Sequence, residues 1–265
     1  MVIYGKGEFS MKLWVTSIFT FIVVLSIACT SVFAEPTHKV AIVIDDFGNN
    51  MKGTEQMLSL PIPLTAAVMP FLPSTKKDAT TAHDKGYEVI VHMPMEPRHG
   101  KASWLGPNAI TTDLSNEEIR RRVIAAIDDV PYAIGMNNHM GSKATGDERV
   151  MRIVLSVCKE RGLYFLDSKT NYRSIVSKIA KELSVPVIEN KLFFDDLYTL
   201  NHIEKQSQLL LEKIKIEPTM IAIGHVGPSG EITSNVIKGY IPRIKQEAKF
   251  VFLSQLVDTL PIKIH

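Results

Sequence analysis

The strongest constraint on the fold is an alternation that begins after residue 37. Short runs of β-branched and apolar residues recur, and between most of them lies a stretch with apolar residues at helical spacing. The first run, 39–44, reads Lys-Val-Ala-Ile-Val-Ile. It lacks polar alternation, which marks a strand covered on both faces. Further strands are expected at 64–69, 87–91, 132–136, 163–166, 185–188, 219–223 and 250–253. Helices are expected at 51–59, 74–85, 115–128, 147–161, 174–183, 203–214 and 235–247. Pro61 and Pro63 end the first helix, and Gly86 and Gly162 end two others. Ser115 and Glu118 form a capping box ahead of Ile119, Val123, Ile124 and Ile127. Eight strands alternating with helices give an α/β fold with a parallel sheet, either open and doubly wound or closed as a (β/α) barrel. No Gly-x-Gly-x-x-Gly follows the first strand and no Walker A run occurs, so nucleotide-binding versions lose support.

Composition narrows the function classes. Of 265 residues, 45% are hydrophobic and 22% charged, which excludes a disordered chain, a collagen-like repeat and a polytopic membrane protein. Thirty basic against 28 acidic residues leave a net charge of +2, so charge makes no case for nucleic acid as a partner. Two cysteines, Cys29 and Cys158, exclude a disulfide scaffold and a Cys-rich zinc module. Cys158, in an apolar helical stretch, reads as a small core residue.

Residues 13–28 are uncharged and apolar, with Lys12 before them and Ser31-Val32-Phe33-Ala34 after. This reads as a secretory signal peptide over residues 1–34, cleaved after Ala34. An uncleaved membrane anchor is the alternative, although the run is short for a span of ~20 residues. Only in that case is the membrane a partner. Met11 offers a second start, and Ser26 stands where a lipoprotein signal at Cys29 would want an aliphatic residue. The expectation is a secreted, periplasmic or cell-envelope protein whose folded domain covers 38–260.

In a barrel of this kind the active site lies at the carboxyl ends of the strands. There the sequence places Asp45-Asp46-Phe47-Gly48, His92-Met93-Pro94-Met95-Glu96, Asn137-Asn138-His139-Met140-Gly141-Ser142, Asp167-Ser168, Glu189-Asn190 and Gly224-His225. One such polar cluster means little, but several at one end of one sheet favour a site. The long 93–112 connection is a candidate functional loop.

These segments resemble the polysaccharide deacetylase (NodB-like) superfamily, and more closely its divergent branch, over roughly residues 38–257. Asp45-Asp46 is similar to the Asp-Asp signature, which implies Asp45 as catalytic base and Asp46 as metal ligand. His92 matches the first position of the His-x3-His motif, but Glu96 stands at the second. Ile-Gly-His resembles the closing Leu-x-His motif, which implies His225 as general acid. The Arg-x-Pro motif, whose Arg positions the catalytic Asp, is replaced by Asn-Asn-His-Met-Gly-Ser. The implied fold is a distorted (β/α) barrel of seven or eight strands.

Amide deacetylation needs an activated water, a stabiliser for the oxyanion and a proton for the leaving amine. A divalent metal, zinc above all, serves the first two needs with about three protein ligands and an open position. Asp46, His92 and His139 are the preferred ligands, with Glu96 an alternative or fourth. Asp45 then acts as base and His225 as acid. Asn138 is a further polar candidate, Asp167 a partner orienting a histidine, and Ser168 a substrate contact. Plainer readings exist for each: a turn or cap for Asp45-Asp46 and Asp167, a core histidine for His92, simple packing for His139, a surface carboxylate for Glu96, a turn former for His225. His83, His99 and His202 read as exposed and without partners. Trp104 either stacks on a sugar or plugs its loop onto the barrel.

The resemblance, with these residues, thus implies an exported, metal-dependent hydrolase removing N-acetyl groups from an amino-sugar polymer. The alternative is a non-catalytic carbohydrate-binding or cell-envelope protein that retains the barrel. Glycosidic cleavage by Asp45 and Glu96 as paired carboxylates fits the accompanying histidines poorly.

Overall fold

The strand β1 (His38–Phe47) organises the sheet of this computed structural model, which describes residues 1–2 and 37–257. The signal-peptide, anchor and Cys29 readings fall on residues 3–36, outside the described residues, as do residues 258–260 of the expected domain. The other strands are β2 (Thr65–Val68), β3 (Glu88–Met95), β4 (Ala133–Met140), β5 (Tyr164–Asp167), β6 (Val187–Glu189), β7 (Leu192–Phe193), β8 (Thr219–His225) and β9 (Ala248–Phe250). They run in the order β6-β5-β4-β3-β2-β1-β8-β7, with parallel pairing throughout. Among the described residues β6 and β7 share no ladder, so the sheet is a curled, open barrel.

The helices are α1 (Thr54–Met57), α2 (Thr75–Asp84), α3 (Asn116–Asp129), α4 (Glu148–Glu160), α5 (Val176–Leu183), α6 (Leu200–Ile214), α7 (Gly230–Glu247) and α8 (Ser254–Val257). Helices α1 to α7 cover the outer face. Val40, Ile42 and Ile44 of β1 pack there with helix residues such as Ile119, Val154, Ile179 and Ile237. Ala41, Val43, Ala67, Ile90, Leu166, Ile221 and Ile223 form a second cluster on the concave face. That division is why the strand runs read as continuously apolar.

Several elements depart from the sequence expectation for local reasons. The strand β7 has two residues, too short to leave a periodic signal. The last expected strand, 250–253, moves back to Ala248–Phe250, where β9 pairs with the first residues of β1, His38 to Val40. Beyond it Leu253, Leu256 and Val257 close the concave cluster at the amino ends of the strands. The helix α6 starts at Leu200 rather than 203 because Thr199 Oγ1 accepts from His202 N. The helix α7 starts at Gly230, five residues early, through Gly-Glu-Ile-Thr-Ser that the apolar pattern does not mark. Half of the expected capping box forms: Ser115 Oγ accepts from Glu118 N at 3.2 Å, but Arg121 and Arg122 take the Glu118 carboxylate.

Candidate metal and catalytic site

Strand parity delivers most of the site. Side chains alternate faces along a strand, so the lane that carries apolar residues on the concave face continues into polar ones at the carboxyl end. On β1, Ala41 and Val43 lead to Asp45; on β3, Ile90 leads to His92; on β8, Ile221 and Ile223 lead to His225. On β4, Asn137 and His139 occupy the lane opposite to Met136, which packs outward. Register aligns the ends: His92 is level with Asn137, and Asp45 with His225.

Asp46 breaks the lane rule. Parity sends it outward, but the β1–β2 register jumps from Ile44 against Ala66 to Phe47 against Val68, so β1 carries one extra residue there. At this bulge Asp46 adopts φ 71, a left-handed conformation tolerated by Asp better than by most residues. The outcome is that two consecutive carboxylates face one mouth. The following turn is held by Asp78, whose Oδ2 accepts from Gly48 N at 2.8 Å and from Ser74 Oγ at 2.8 Å.

Three donor atoms converge. Asp46 Oδ1 lies 3.2 Å from His92 Nε2 and 3.0 Å from His139 Nδ1, and the two nitrogens are 3.1 Å apart. Their hydrogen-bond partners fix the tautomers. Asn137 Nδ2 donates to Asp45 Oδ1 at 2.9 Å, so Asn137 Oδ1 is left to accept from His92 Nδ1 at 2.7 Å. His92 Nε2 therefore carries a lone pair. His139 Nε2 donates to the Trp104 carbonyl at 2.9 Å, which leaves a lone pair on His139 Nδ1. Buried Asp46 Oδ1 has no hydrogen-bond partner among the described residues. Three lone pairs within van der Waals contact repel unless a cation or proton sits among them. One carboxylate and two imidazoles fit a divalent ion of the zinc type with an open coordination position.

Electrostatics separates the two aspartates. Burial pushes the Asp45 carboxyl up, only partly offset by the His92 and His225 charges, and its net pKa is raised. Burial also pushes Asp46 up, but positive charge on the facing His139 and His92 nitrogens, a proton wherever no cation sits among them, outweighs it and holds it well below the usual range. A raised and a lowered carboxylate side by side match a base and a ligand. Burial opposes the charged form of His139, but Asp46 prevails and raises its pKa.

His225 has its own partner. Its Nδ1 lies 2.7 Å from Asp195 Oδ1, and its backbone N donates to Asp195 Oδ2 at 3.0 Å. Fully buried Asp195 also accepts from Thr233 Oγ1 at 2.7 Å and Ser229 Oγ at 3.3 Å. Burial disfavours the imidazolium, yet the Asp195 bond and the Asp195, Asp46 and Asp45 charges raise the His225 pKa to about 10.

The remaining sequence candidates divide. Ser168 lies at the edge of the cluster: its Oγ accepts from Asn137 Nδ2 at 3.3 Å and donates to the Asn138 carbonyl at 3.0 Å. Asn138 points away from the ligands and braces loops, accepting from Ser168 N at 3.0 Å and donating to the Met140 carbonyl at 2.7 Å. Glu96 is not a fourth ligand. Its Oε2 accepts from Thr112 N and Oγ1, both at 2.7 Å, and its Oε1 from Lys143 Nζ at 2.7 Å. Asp167 orients no histidine; on the outward lane of β5, it accepts from Lys169 N at 2.8 Å and Ser174 Oγ at 2.7 Å. The histidine-orienting carboxylate is Asp195. His202, expected without a partner, lies 2.5 Å from Asp196, and His83 stacks on Tyr132. Trp104 is 59% exposed, which does not match a side chain that plugs its loop onto the barrel. Cys158 is buried, with its thiol pushed up to about 12 by burial.

Two site residues escaped sequence reasoning. Asn137 was legible in principle, since it shares a lane with His139. Asp195 follows the short β7 inside Phe-Phe-Asp-Asp, where no periodicity separates it from a loop carboxylate.

A model of the family described as divergent polysaccharide deacetylase matches residues 42–257. An uncharacterized Escherichia coli K12 protein, YibQ, is 34% identical over 237 residues, covering 89% of this chain and 73% of the relative. An uncharacterized Haemophilus influenzae protein is 31% identical over 234 residues, covering 88% of this chain and 82% of its own length. The crystal structure of the uncharacterized protein ATU2773 from Agrobacterium tumefaciens C58 shares the fold, with a TM-score of 0.76 at 21% identity over 84% of this chain and 90% of that one. From the extent of the family match and from these identities, the chain belongs to the divergent polysaccharide deacetylase family.

Proposed function

We propose that the chain is an exported hydrolase, dependent on a divalent metal such as zinc, that removes N-acetyl groups from an amino-sugar polymer. The observation that carries this reading is the convergence of Asp46 Oδ1, His92 Nε2 and His139 Nδ1 beside Asp45, a buried carboxylate with a raised pKa. Asp46, His92 and His139 would hold a divalent cation through those three atoms, and the cation would supply water activation and carbonyl polarisation. Asp45 takes a proton from the attacking water. Asn137 holds Asp45 Oδ1, a duty the Arg-x-Pro motif performs in the superfamily that the sequence resembles. His225, kept protonated by Asp195, gives its proton to the departing nitrogen. Apolar packing beneath the cluster keeps bulk water from its inner side and strengthens these charges. The apolar run at residues 13–28 supports export.

The test is acetate release from N-acetylated amino-sugar oligomers by zinc-loaded protein. Turnover abolished by Asp45→Asn and reversed by chelation and reloading is expected. Saturable glycan binding without acetate release, indifferent to chelator and to Asp45→Asn, would replace the enzyme with the carbohydrate-binding reading.

A further inference from the structure

Beside the metal ligands the mouth carries a patch that the reaction does not use. Three loops meet there, those following β3, β4 and β5. Arg98 N donates to Ser142 Oγ at 2.9 Å, and Asn171 Nδ2 donates to the Ser142 carbonyl at 2.9 Å. A Cβ placed on Gly146 would lie 3.4 Å from Asn171 Nδ2, 3.7 Å from Arg98 Nη2 and 3.9 Å from the Arg173 backbone carbonyl, so the Arg98 side chain reaches the loop whose backbone carries Arg173. The patch adjoins the site: the Trp104 carbonyl bonds His139, and a Cβ on Gly100 would meet Met140 Cε at 2.9 Å.

Two of these loops each carry a cation beside an aromatic ring. Lys101 Nζ lies 5.5 Å from the centre of the Trp104 ring, and the Arg173 guanidinium 5.4 Å from that of Tyr172. Trp104 is 59% exposed and Tyr172 86% exposed. Among the described residues no carboxylate pairs with Arg98, Lys101 or Arg173. The acids nearby are already engaged: Glu96 by Lys143 and Thr112, Asp147 by the backbone of Val150, Asp167 by Ser174 and Lys169. Arg98, Lys101 and Arg173 thus stand without an ion-pair partner among the described residues, on loops that rim the proposed catalytic mouth.

We infer that this rim binds an acidic saccharide, so that the substrate is an anionic amino-sugar polymer rather than a neutral one. Exposed rings stack on the apolar face of a pyranose, and Arg98 and Arg173 receive a carboxylate or phosphate on a neighbouring unit. Guanidinium favours such oxyanions through paired N–H donors. The inference rests on the proposed function, since the rim is read as a subsite of that mouth.

The experiment compares two probes on the full chain loaded with zinc: an N-acetylglucosamine–glucuronic acid tetrasaccharide and neutral N-acetylglucosamine tetramer. Affinity is followed by tryptophan fluorescence and calorimetry at low and high salt, with metal content and acetate release recorded on the same samples. The acidic probe is expected to bind about tenfold tighter at low salt, consistent with one or two charge-assisted contacts. Arg98→Ala with Arg173→Ala should erase that preference, Arg98→Lys with Arg173→Lys should restore part of it, and zinc content should stay at the parent's level. Equal affinity for both probes, or a preference the arginine variants leave intact, would overturn the inference. Tighter binding of a single-stranded oligonucleotide than of either glycan would overturn it too. Acetate release from the neutral tetramer without any acidic preference would leave the proposed function standing and remove only the anionic subsite. An acidic preference without acetate release from either probe would support the rim while removing the hydrolase.

Discussion

Asn137 joins the two halves of the site through one side chain. Its amide donates to Asp45 and accepts from His92, so it fixes both the base and the tautomer of a ligand. Removing it should loosen both. Asn137→Ala is expected to lower zinc affinity and kcat by roughly 10- to 100-fold, the range for residues that orient metal ligands. Asn137→Asp keeps an acceptor for His92 but sets a second carboxylate against Asp45. Like charge raises a carboxylate pKa, so the acidic limb of the pH–rate profile should move to higher pH in this variant. A profile with an unchanged acidic limb would deny Asn137 its place beside the base. Asp195 acts on the opposite limb. In Asp195→Asn the His225 pKa should fall from about 10, bringing the alkaline limb to lower pH. The stability effect has a matching sign. A histidine whose folded pKa is raised contributes most below its unfolded value of ~6.5, and the contribution is lost as pH rises through about 10. The pH-dependent advantage of the parent over Asp195→Asn in urea unfolding should therefore be largest in mild acid.

The elements that carry these residues are tied together behind the site. Val226 N donates to the Asp45 carbonyl at 3.1 Å and Gly227 N to the Lys52 carbonyl at 2.8 Å, linking the ends of β1 and β8. Close approach of α1 and α7 permits this. Gly53 has φ 83, and a Cβ there would fall 2.4 Å from the Gly230 carbonyl carbon. Gly53→Ala should cost roughly 1–3 kcal/mol from overpacking and backbone strain. It should also shift His225 relative to Asp45, so kcat should drop alongside Tm; a variant with parental Tm and kcat would show that the contact is dispensable. Parity along the elements also explains what the sequence revealed. Asp45, His92 and His225 continue apolar lanes that can be read from residue spacing alone, whereas Gly135 and an irregularity of β4 precede Asn137 and His139. Asp167 sits on the other lane, and the same parity could have set it aside. Asp46 was chosen by resemblance, because the bulge that turns it inward leaves no trace in the hydrophobic pattern. Glu96 matches a ligand by spacing, but Lys143 and Thr112, distant in sequence, claim its oxygens. Asp195 depends on β7, whose two residues are placed by the pairing with β8 rather than by any propensity of their own.

At the scale of the molecule, metal binding and folding are linked. The ligands come from β1, β3 and β4, three strands of one sheet, so a cation bound there holds the carboxyl end of the barrel together. A ligand that binds only the folded state at about 100 times its Kd adds roughly 2.7 kcal/mol. For a domain of this size each kcal/mol corresponds to roughly 2–4 °C. Zinc should accordingly raise Tm by several degrees and a chelator should reverse the change, whereas a scan that is identical in zinc and in chelator would argue against the site. The succession of strands and helices along the chain was legible from the alternation after residue 37; the order of strands in the sheet and the curl that leaves β6 and β7 unpaired were not, because they depend on tertiary pairing and on where short edge strands stop.

Metal analysis of the purified chain, run beside Asp46→Asn, His92→Ala and His139→Ala, tests the central claim most directly. One zinc-like ion per parent chain, lost in all three variants while their folds persist by circular dichroism, is the predicted result. A parent that takes up no divalent ion even after loading, or variants that retain it fully, would contradict the assignment of these three residues as a metal site.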